Sequence, residues 1–294
     1  MALYFMKYFQ KWCEYPEEML DDNMAMDRGK LAYIAGLPDG DEMIMDALNE
    51  NNPIIISSLA SRFGVEDMLF AVKNGTFMTS LLYFFGVLTM RGKTDISESV
   101  LGIPNLAVKK LYVETITALL LPDLNTSKAM QATREFFTTG ALQPVCDFIE
   151  KNCFKALDNR DYRWADELTV KTAFLSLLFN DTLYITDSET SLERGYADMT
   201  MIVRPDKRQF QLLDFLFEFK YVSLKDNNLS GSKVKAMTDA DLKKLAPVKL
   251  KSADAEAKLK GYRQTLKSVY GTQLRLRCYS VVSVGFDRLV QAEI

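Results

Sequence analysis

The stretch SLERGYADMTMIVRPDKRQFQLLDFLFEFKYV, residues 191–222, decides the fold. It contains two apolar runs rich in β-branched and aromatic residues, 199–203 and 212–222, which are typical of buried β-strands. The segment between them, Arg204-Pro205-Asp206-Lys207, has the composition of a turn. The pattern therefore predicts a β-hairpin.

Two charged residues interrupt the second apolar run. Alternate residues of a strand share one face, so Glu218 and Lys220 project together with Leu216, and aromatic side chains fill the opposite face. Burying ionised groups is costly unless they are paired or bind a metal. The sequence therefore predicts a functional site on this strand. The aromatic residues of the opposite face are Phe215, Phe217, Phe219 and Tyr221.

Asp198, on the first predicted strand, adds a second carboxylate. Asp198 and Glu218 offer the hard oxygen ligands that Mg²⁺ prefers, and Mn²⁺ accepts the same donors. Lys220 can orient a nucleophile or neutralise a phosphate. This D…ExK pattern is typical of metal-dependent nucleases, but it also arises by chance because Asp, Glu and Lys are common.

The order of predicted elements around the pattern is more specific than the pattern itself. It reads helix, strand, strand, strand, helix, strand, which is an αβββαβ sequence. The elements are predicted at 166–179, 182–185, the strand of Asp198, the strand of Glu218 and Lys220, 254–270 and 274–284.

The chain resembles the PD-(D/E)XK nuclease superfamily, and specifically the bacterial group in which this domain follows an AAA-ATPase-like region. The resemblance spans nearly the whole chain. In the second half it rests on Asn159-Arg160-Asp161-Tyr162, Asp166-Glu167, Ser188-Glu189, Gly195-Tyr196-Ala197-Asp198 and Phe217-Glu218-Phe219-Lys220-Tyr221. In the first half it rests on the strings at 16–21, 26–27, 79–89 and 103–105, which read PEEMLD, MD, TSLLYFFGVLT and IPN.

The resemblance implies a mixed α+β or α/β fold with a restriction-endonuclease-like domain, a DNA substrate and a divalent cation. It makes Asp198 and Glu218 metal ligands and Lys220 the catalytic lysine, with Glu167 as either a further acid of the site or a helix cap. Relatives often place Gln four residues before a Tyr on the second core helix. Here Lys258 precedes Tyr262 at that spacing, so these two are candidate nucleic-acid contacts, with a solvated helix face as the alternative for Lys258.

The ATPase core of such relatives is absent from the sequence. The nearest match to a phosphate-binding loop, 87–94, reads VLTMRGKT, lacks the first glycine and follows a helix-like segment. It is interpreted as part of a hairpin turn, and no nucleotide site is expected. The chain is thus expected to be the carboxy-terminal portion of a longer relative, whether a truncated copy, a fragment of a split gene or an incomplete reading frame, and a separate ATPase or other protein partner is an open expectation.

The sequence predicts three regions. Residues 1–121 form a helical region with a winged-helix-like module, because a helix at 76–85, strands at 87–90 and 100–103 and a helix at 105–120 follow one another. The first of these helices has no Lys or Arg, which favours a structural or partner-facing role over DNA binding. Residues 122–157 are predicted as a helical connector and 158–294 as the nuclease-like domain.

The amino-acid composition excludes some kinds of active site. The chain of 294 residues contains no histidine, which excludes Ser-His-Asp hydrolases and histidine-dependent metal sites. Its four cysteines have no metal or disulfide spacing, and no stretch approaches the length of a membrane span, so a cytoplasmic protein is expected. The oligomeric state is left open.

Charge is unevenly distributed along a chain whose formal net charge is −3. Nine lysines and five acids lie in 225–260, which is predicted as a flexible insertion that either contacts phosphates or is simply solvated.

These observations predict a Mg²⁺-dependent phosphodiesterase acting on DNA. The alternative is a weakly active or inactive nuclease-fold protein that binds nucleic acid or a protein. A third class is a metal-binding regulator that recognises a partner through its aromatic first half.

Overall fold

The computed structural model describes residues 28–48, 53–60, 74–104, 106–120, 126–155, 167–187, 190–192 and 195–294. The chain divides into two compact units, Met1–Leu119 and Leu120–Ile294. Among the described residues, no helix combines the length and the apolar character needed to cross a membrane.

The described part of the first unit combines helices with a small antiparallel sheet of order β1-β3-β2. Its core is apolar and includes Leu31, Ile44, Leu82 and Ile116, all fully buried. The elements are α1 (Arg28–Ala35), α2 (Gly40–Ala47), β1 (Ile54–Ile56), α3 (Gly75–Phe84), β2 (Thr89–Lys93), β3 (Ser99–Gly102) and α4 (Leu106–Leu120).

The predicted helix, hairpin and helix of this unit are confirmed as α3, β2 with β3, and α4. The string that ends in GKT lies in this hairpin: Gly92 and Lys93 belong to β2, and the turn closes where Ser97 N donates to Thr94 O at 2.8 Å. The pairing of β1 with β3 adds a third strand that the sequence patterns did not predict. The winged-helix assignment stays a prediction.

The second unit contains a five-stranded sheet of order β10-β9-β8-β7-β4 and a separate pair, β5-β6. Its first elements are α5 (Thr126–Thr139), α6 (Gln143–Phe148), a π-helix (Ile149–Cys153), α7 (Glu167–Leu178), β4 (Tyr184–Asp187), β5 (Thr190–Leu192), β6 (Gly195–Ala197), β7 (Met199–Val203) and a 3₁₀ turn (Pro205–Lys207). They are followed by β8 (Asp214–Val222), α8 (Gly231–Ala236), α9 (Asp239–Leu242), α10 (Ala246–Tyr270), a 3₁₀ turn (Gly271–Gln273), β9 (Leu276–Val284) and β10 (Arg288–Glu293).

Strand β8 lies at the centre of the sheet. It pairs antiparallel with β7 and parallel with β9, and α10 makes the crossover that a parallel pair requires. The predicted αβββαβ order is therefore present, with β10 added as an antiparallel edge strand after β9. The sheet presents the middle of β8 to helices on both faces.

The two faces of β8 differ as the alternation predicts. On one face, Phe136 of α5 stacks on Phe215 with ring centroids 4.1 Å apart, and Phe174 of α7 packs on Phe219 at 5.0 Å. On the other face, Leu216 packs with Leu259 of α10. Phe215, Phe217 and Phe219 are fully buried, whereas Tyr221 is partly exposed, and packing of α5 and α7 on the phenylalanines holds the backbone of β8 in one position.

The segment predicted as a connector contributes helices to this second unit. Besides the Phe136 stack, Leu213 N donates to Phe137 O at 3.1 Å, and the Tyr279 hydroxyl donates to Gly140 O at 2.6 Å. Gly140 has φ +80, and a Cβ there would lie 2.7 Å from the Tyr279 hydroxyl, so glycine permits both the turn and the contact. The aromatic face of β8 is wider than α7 covers, and α5 buries the remainder.

The prediction of a flexible insertion at 225–260 is wrong. The segment forms α8, α9 and the first half of α10, so the helix predicted from Asp254 begins at Ala246. Val234 and Val248 are buried against Val222 and Val282. The high lysine content concealed an apolar spacing that folds the segment onto the end of the sheet.

Candidate functional site

Glu218 and Lys220 lie near the middle of β8, with relative exposures of 0% and 4%. Strand β7 pairs with only the first part of β8, from Met201 opposite Phe215 to Met199 opposite Phe217. Beyond Phe217, β8 continues with β9 as its recorded partner. The two charged side chains therefore lie where β7 and β8 separate, which opens a place for polar groups in an otherwise apolar sheet.

Asp198 lies at a bend between β6 and β7 rather than on the predicted strand. Its Oδ2 accepts a hydrogen bond from Phe219 N at 2.7 Å, and its side chain is buried. The carboxylate takes the backbone N–H that β8 presents beyond its pairing with β7. This bond places Asp198 beside Glu218 and leaves its other oxygen for a different partner.

Glu167 is the first residue of α7, and its Oε1 accepts from Lys220 Nζ at 3.2 Å. Its side chain is 40% exposed, so it reaches the site from the solvent side. The structure thus brings the candidate first-helix acid to the site lysine. Asp166 and the string at 159–162 lie outside the described residues.

Lys220 is the most constrained cation of the site. Its Nζ donates to Glu218 Oε1 at 3.0 Å, to Glu167 Oε1 and to Phe219 O at 2.7 Å. Three acceptors fill the three donor positions of an ammonium group, so the group is fixed in place.

Lys258 and Tyr262 approach from α10. Lys258 Nζ donates to Glu218 Oε1 at 2.7 Å, and its side chain is 43% exposed. Tyr262 is 9% exposed and packs with Leu216 and Leu259. Both residues also line an open groove of about 520 Å³ on the outer side of α10, together with Ala257, Gly261, Gln264, Thr265 and Ser268. The contact between Lys258 and Glu218 was not predicted from the sequence, although a lysine at the position where relatives carry Gln was a signal for it.

The electrostatics of the site favour additional positive charge. Burial raises the pKa of Glu218, and the nearby charge of Asp198 raises it further, against the opposing effect of Lys220 and Lys258. Burial also raises the pKa of Glu167. Burial opposes the charged form of Lys220, but Glu218, Glu167 and Asp198 together raise its pKa. Ionised carboxylates are therefore costly here even with two ammonium groups nearby.

A divalent cation fits two of these carboxylates. Glu218 Oε2 is buried and has no hydrogen-bond partner among the described residues, although Oε1 of the same group accepts from two ammonium groups. A buried acceptor without a partner is accounted for by strain, by a catalytic role or by a bound water or ion, and an ion agrees with the charges of this site. Within the part of the chain that the structure describes, no three acidic or cysteine side chains are placed to hold a metal. Mg²⁺ needs one or two carboxylates and keeps several waters, so Asp198 and Glu218 are sufficient.

A comparison with protein families agrees with this geometry. Residues 165–285 match the model of the PD-(D/E)XK nuclease superfamily. This region is a PD-(D/E)XK nuclease superfamily domain. It contains Glu167, Asp198, Glu218, Lys220, Lys258 and Tyr262.

Members of the superfamily usually use divalent metal ions. No curated protein and no solved structure matched the chain. The bacterial and AAA-ATPase-associated group therefore stays a prediction from the resemblance.

Proposed function

We propose that the second unit is a Mg²⁺-dependent phosphodiesterase that hydrolyses DNA. The observation that carries the proposal is the buried, unpartnered Glu218 Oε2 beside Asp198, with a fixed lysine two residues further along the same strand. The superfamily match over 165–285 supports the reaction class.

Asp198 and Glu218 are the residues that would hold Mg²⁺, or Mn²⁺ in its place. The ion, when bound, supplies a water of lowered pKa and offsets negative charge on the phosphoryl oxygens. Lys220 holds its ammonium group against Glu218 and Glu167, where it can orient the attacking water or neutralise the scissile phosphate. Hydrolysis joins the water oxygen to phosphorus and breaks the bond to one sugar oxygen, which leaves as a hydroxyl after taking a proton.

We assign affinity for a polynucleotide to exposed lysines on the helices that follow β8. The helices α8, α9 and α10 follow β8, and their exposed lysines offer positive charge to a phosphate backbone in a chain of negative net charge. The lysines in question are Lys233, Lys235, Lys243, Lys244 and Lys249.

The second candidate function is a nuclease-fold module that binds without efficient turnover. It is favoured by one contact, the bond from Lys258 to Glu218, because an ammonium group occupies a carboxylate that catalysis assigns to metal. The first unit is proposed as a winged-helix-like, partner-facing module, since α3 carries no Lys or Arg and exposes Phe84, and the partner would be an ATPase or another protein.

Cleavage assays separate the two functions. The protein is incubated with supercoiled, linear duplex and single-stranded DNA, and with RNA, in Mg²⁺, Mn²⁺ or chelator. We expect metal-dependent cleavage of DNA that falls at least about 100-fold in Asp198→Asn and in Lys220→Met, since each removes a group that acts on the reacting atoms. Binding of DNA without cleavage under either ion contradicts the enzyme and supports the binding module, and cleavage of RNA alone contradicts the substrate assignment.

The matched control is Lys267→Met. Lys267 lies on α10 nine residues after Lys258, which is two and a half turns and therefore the opposite side of the helix. The substitution Lys267→Met removes one exposed lysine from the same helix, and we expect cleavage to be retained.

A further inference from the structure

Glu218 is shared by two lysines that are held very differently. The side chain of Lys220 is 5% exposed and is fixed by Glu167 and the Phe219 carbonyl as well as by Glu218. The side chain of Lys258 is 43% exposed, and within the described residues Glu218 is its one hydrogen-bond acceptor. Lys220 is therefore a permanent part of the site, whereas Lys258 can leave Glu218 without losing access to water.

The charges of the site make this difference consequential. Three carboxylates, those of Glu167, Asp198 and Glu218, interact with the ammonium groups of Lys220 and Lys258. With all five groups ionised, their charges sum to one net negative charge. Without Lys258 the same site would carry two, and a divalent cation would be attracted more strongly. Lys258 thus opposes the binding of any cation that uses Glu218.

Lys258 also borders a second site that its ammonium group can reach. Its side chain borders the open groove along the exposed side of α10, next to Gly261 and Thr265. A lysine side chain spans several ångströms and rotates freely, so its ammonium group reaches a phosphate in that groove without any backbone movement. The phosphate of a polynucleotide is the complementary charge at this position.

We propose that Lys258 is an internal counter-ion of Glu218 that competes with the divalent ion and moves to a substrate phosphate when the ion binds. This inference rests on the proposed nuclease function. It makes Lys258 a positioning residue that couples two ligands: metal binding releases the ammonium group for the phosphate, and phosphate binding removes a competitor of the metal. The coupling is reciprocal, so each ligand strengthens the other by the same factor.

The first measurement is Mn²⁺ binding to the full chain without nucleic acid, by isothermal titration calorimetry. We expect Lys258→Met to bind Mn²⁺ about tenfold more tightly than the unaltered protein, because a competing unit charge is removed at close range. Lys258→Arg keeps the charge, Lys267→Met removes a distant one, and both are expected to stay within about twofold. Equal or weaker binding by Lys258→Met overturns the proposal, as does the absence of Mn²⁺ binding in both proteins.

The second measurement tests the release. Binding of a fluorescent single-stranded oligodeoxynucleotide is followed by anisotropy with and without Ca²⁺, and a gel afterwards verifies that the strand is intact. We expect Ca²⁺ to tighten binding several-fold in the unaltered protein and less in Lys258→Met, because that variant has no ammonium group to release. The same enhancement in both proteins overturns the coupling.

Neither measurement depends on turnover. A protein that shows the Mn²⁺ competition but cleaves no polynucleotide contradicts the proposed function and leaves the role of Lys258 standing. A protein that cleaves DNA with equal Mn²⁺ affinity in Lys258→Met and the unaltered protein contradicts the role of Lys258 alone.

Discussion

Two carboxylates on β8, Asp214 at its start and Glu218 near its middle, are both fully buried but have opposite hydrogen-bonding states. Asp214 is saturated: Oδ1 accepts from Val203 N at 2.8 Å, and Oδ2 accepts from Arg208 Nη1 at 2.7 Å and Arg275 N at 2.9 Å. Glu218 concentrates its partners on Oε1, and Oε2 has none among the described residues.

The difference is that between a structural acid, Asp214, and the acid proposed to bind the metal, Glu218. Oδ1 of Asp214 binds the end of β7 through Val203 N, and Oδ2 binds Arg208 and the backbone just before β9 through Arg275 N. Both oxygens of this carboxylate therefore connect segments of the fold. Among the residues that the structure describes, Glu218 accepts from two side chains, Lys220 and Lys258, and from no backbone N–H. Burial is therefore common to both acids, and the unused oxygen of Glu218, beside Asp198 and two lysines, is what supports its proposed role as a ligand.

The largest expected effect is on turnover. Glu218→Gln keeps the shape of the side chain but removes the charge that would hold Mg²⁺, and we expect metal-dependent DNA cleavage to fall at least about 100-fold. Asp214→Asn lies about 13 Å along the strand, and its cleavage rate at a temperature where it is folded is expected to stay within about threefold. Equal losses in the two variants would break the comparison. Initial rates on one DNA substrate measure both.

The second-largest expected effect is on stability, and here Asp214→Asn is expected to lose more than Glu218→Gln. Asp214→Asn leaves Arg208 without its charge partner and places an amide where Oδ2 accepts two hydrogen bonds. We expect its free energy of unfolding to fall by about 2 kcal/mol, less than for a fully buried pair because Arg208 is partly exposed. Urea denaturation in chelator measures this loss. A larger loss in Glu218→Gln, for which we expect a change of at most about 1 kcal/mol, would reverse the assignment of the two acids.

Local patterns in the sequence predict the frame of the site. The alternation in 212–222 places Glu218 and Lys220 on one face and the phenylalanines on the other, because a strand offers only two faces. The apolar runs at 199–203 and 274–284 likewise predict β7 and β9, with the observed boundaries within two residues.

Contacts between distant residues were not predictable from such patterns. The bend at Asp198 exists because β7 pairs with β8 only as far as Phe217, and the length of a pairing is a property of the folded sheet. The bond from Lys258 to Glu218 joins residues 40 positions apart and depends on how α10 crosses β8. The folding of the lysine-rich segment depends on Val222 and Val282, which lie outside it.

The smallest expected effect is on the pH dependence of stability, which tests whether the charge of Glu218 is unfavourable in the folded chain. Burial and the charge of Asp198 raise the pKa of Glu218 above its ordinary value of 4.5. The carboxyl group of Glu218 therefore holds its proton more tightly in the folded chain than in the unfolded chain. Stability therefore falls as the pH rises from below 4.5 through the raised pKa, and Glu218→Gln lacks this contribution. We expect the unfolding free energy of the unaltered protein, relative to Glu218→Gln, to decline between pH 4 and pH 7 in chelator.

The control for this trend is Asp241→Asn, because hydrogen bonds from Lys244 and Thr238 lower the pKa of Asp241. An acid with a lowered pKa stabilises the folded chain above its unfolded pKa, so the unaltered protein should gain stability relative to this variant as the pH rises. Opposite slopes in the two variants mean that the charge of Glu218 is unfavourable without a cation, whereas the charge of Asp241 is favourable. Parallel slopes would mean that the partners on Oε1 already compensate Glu218, and that its second oxygen needs no ligand.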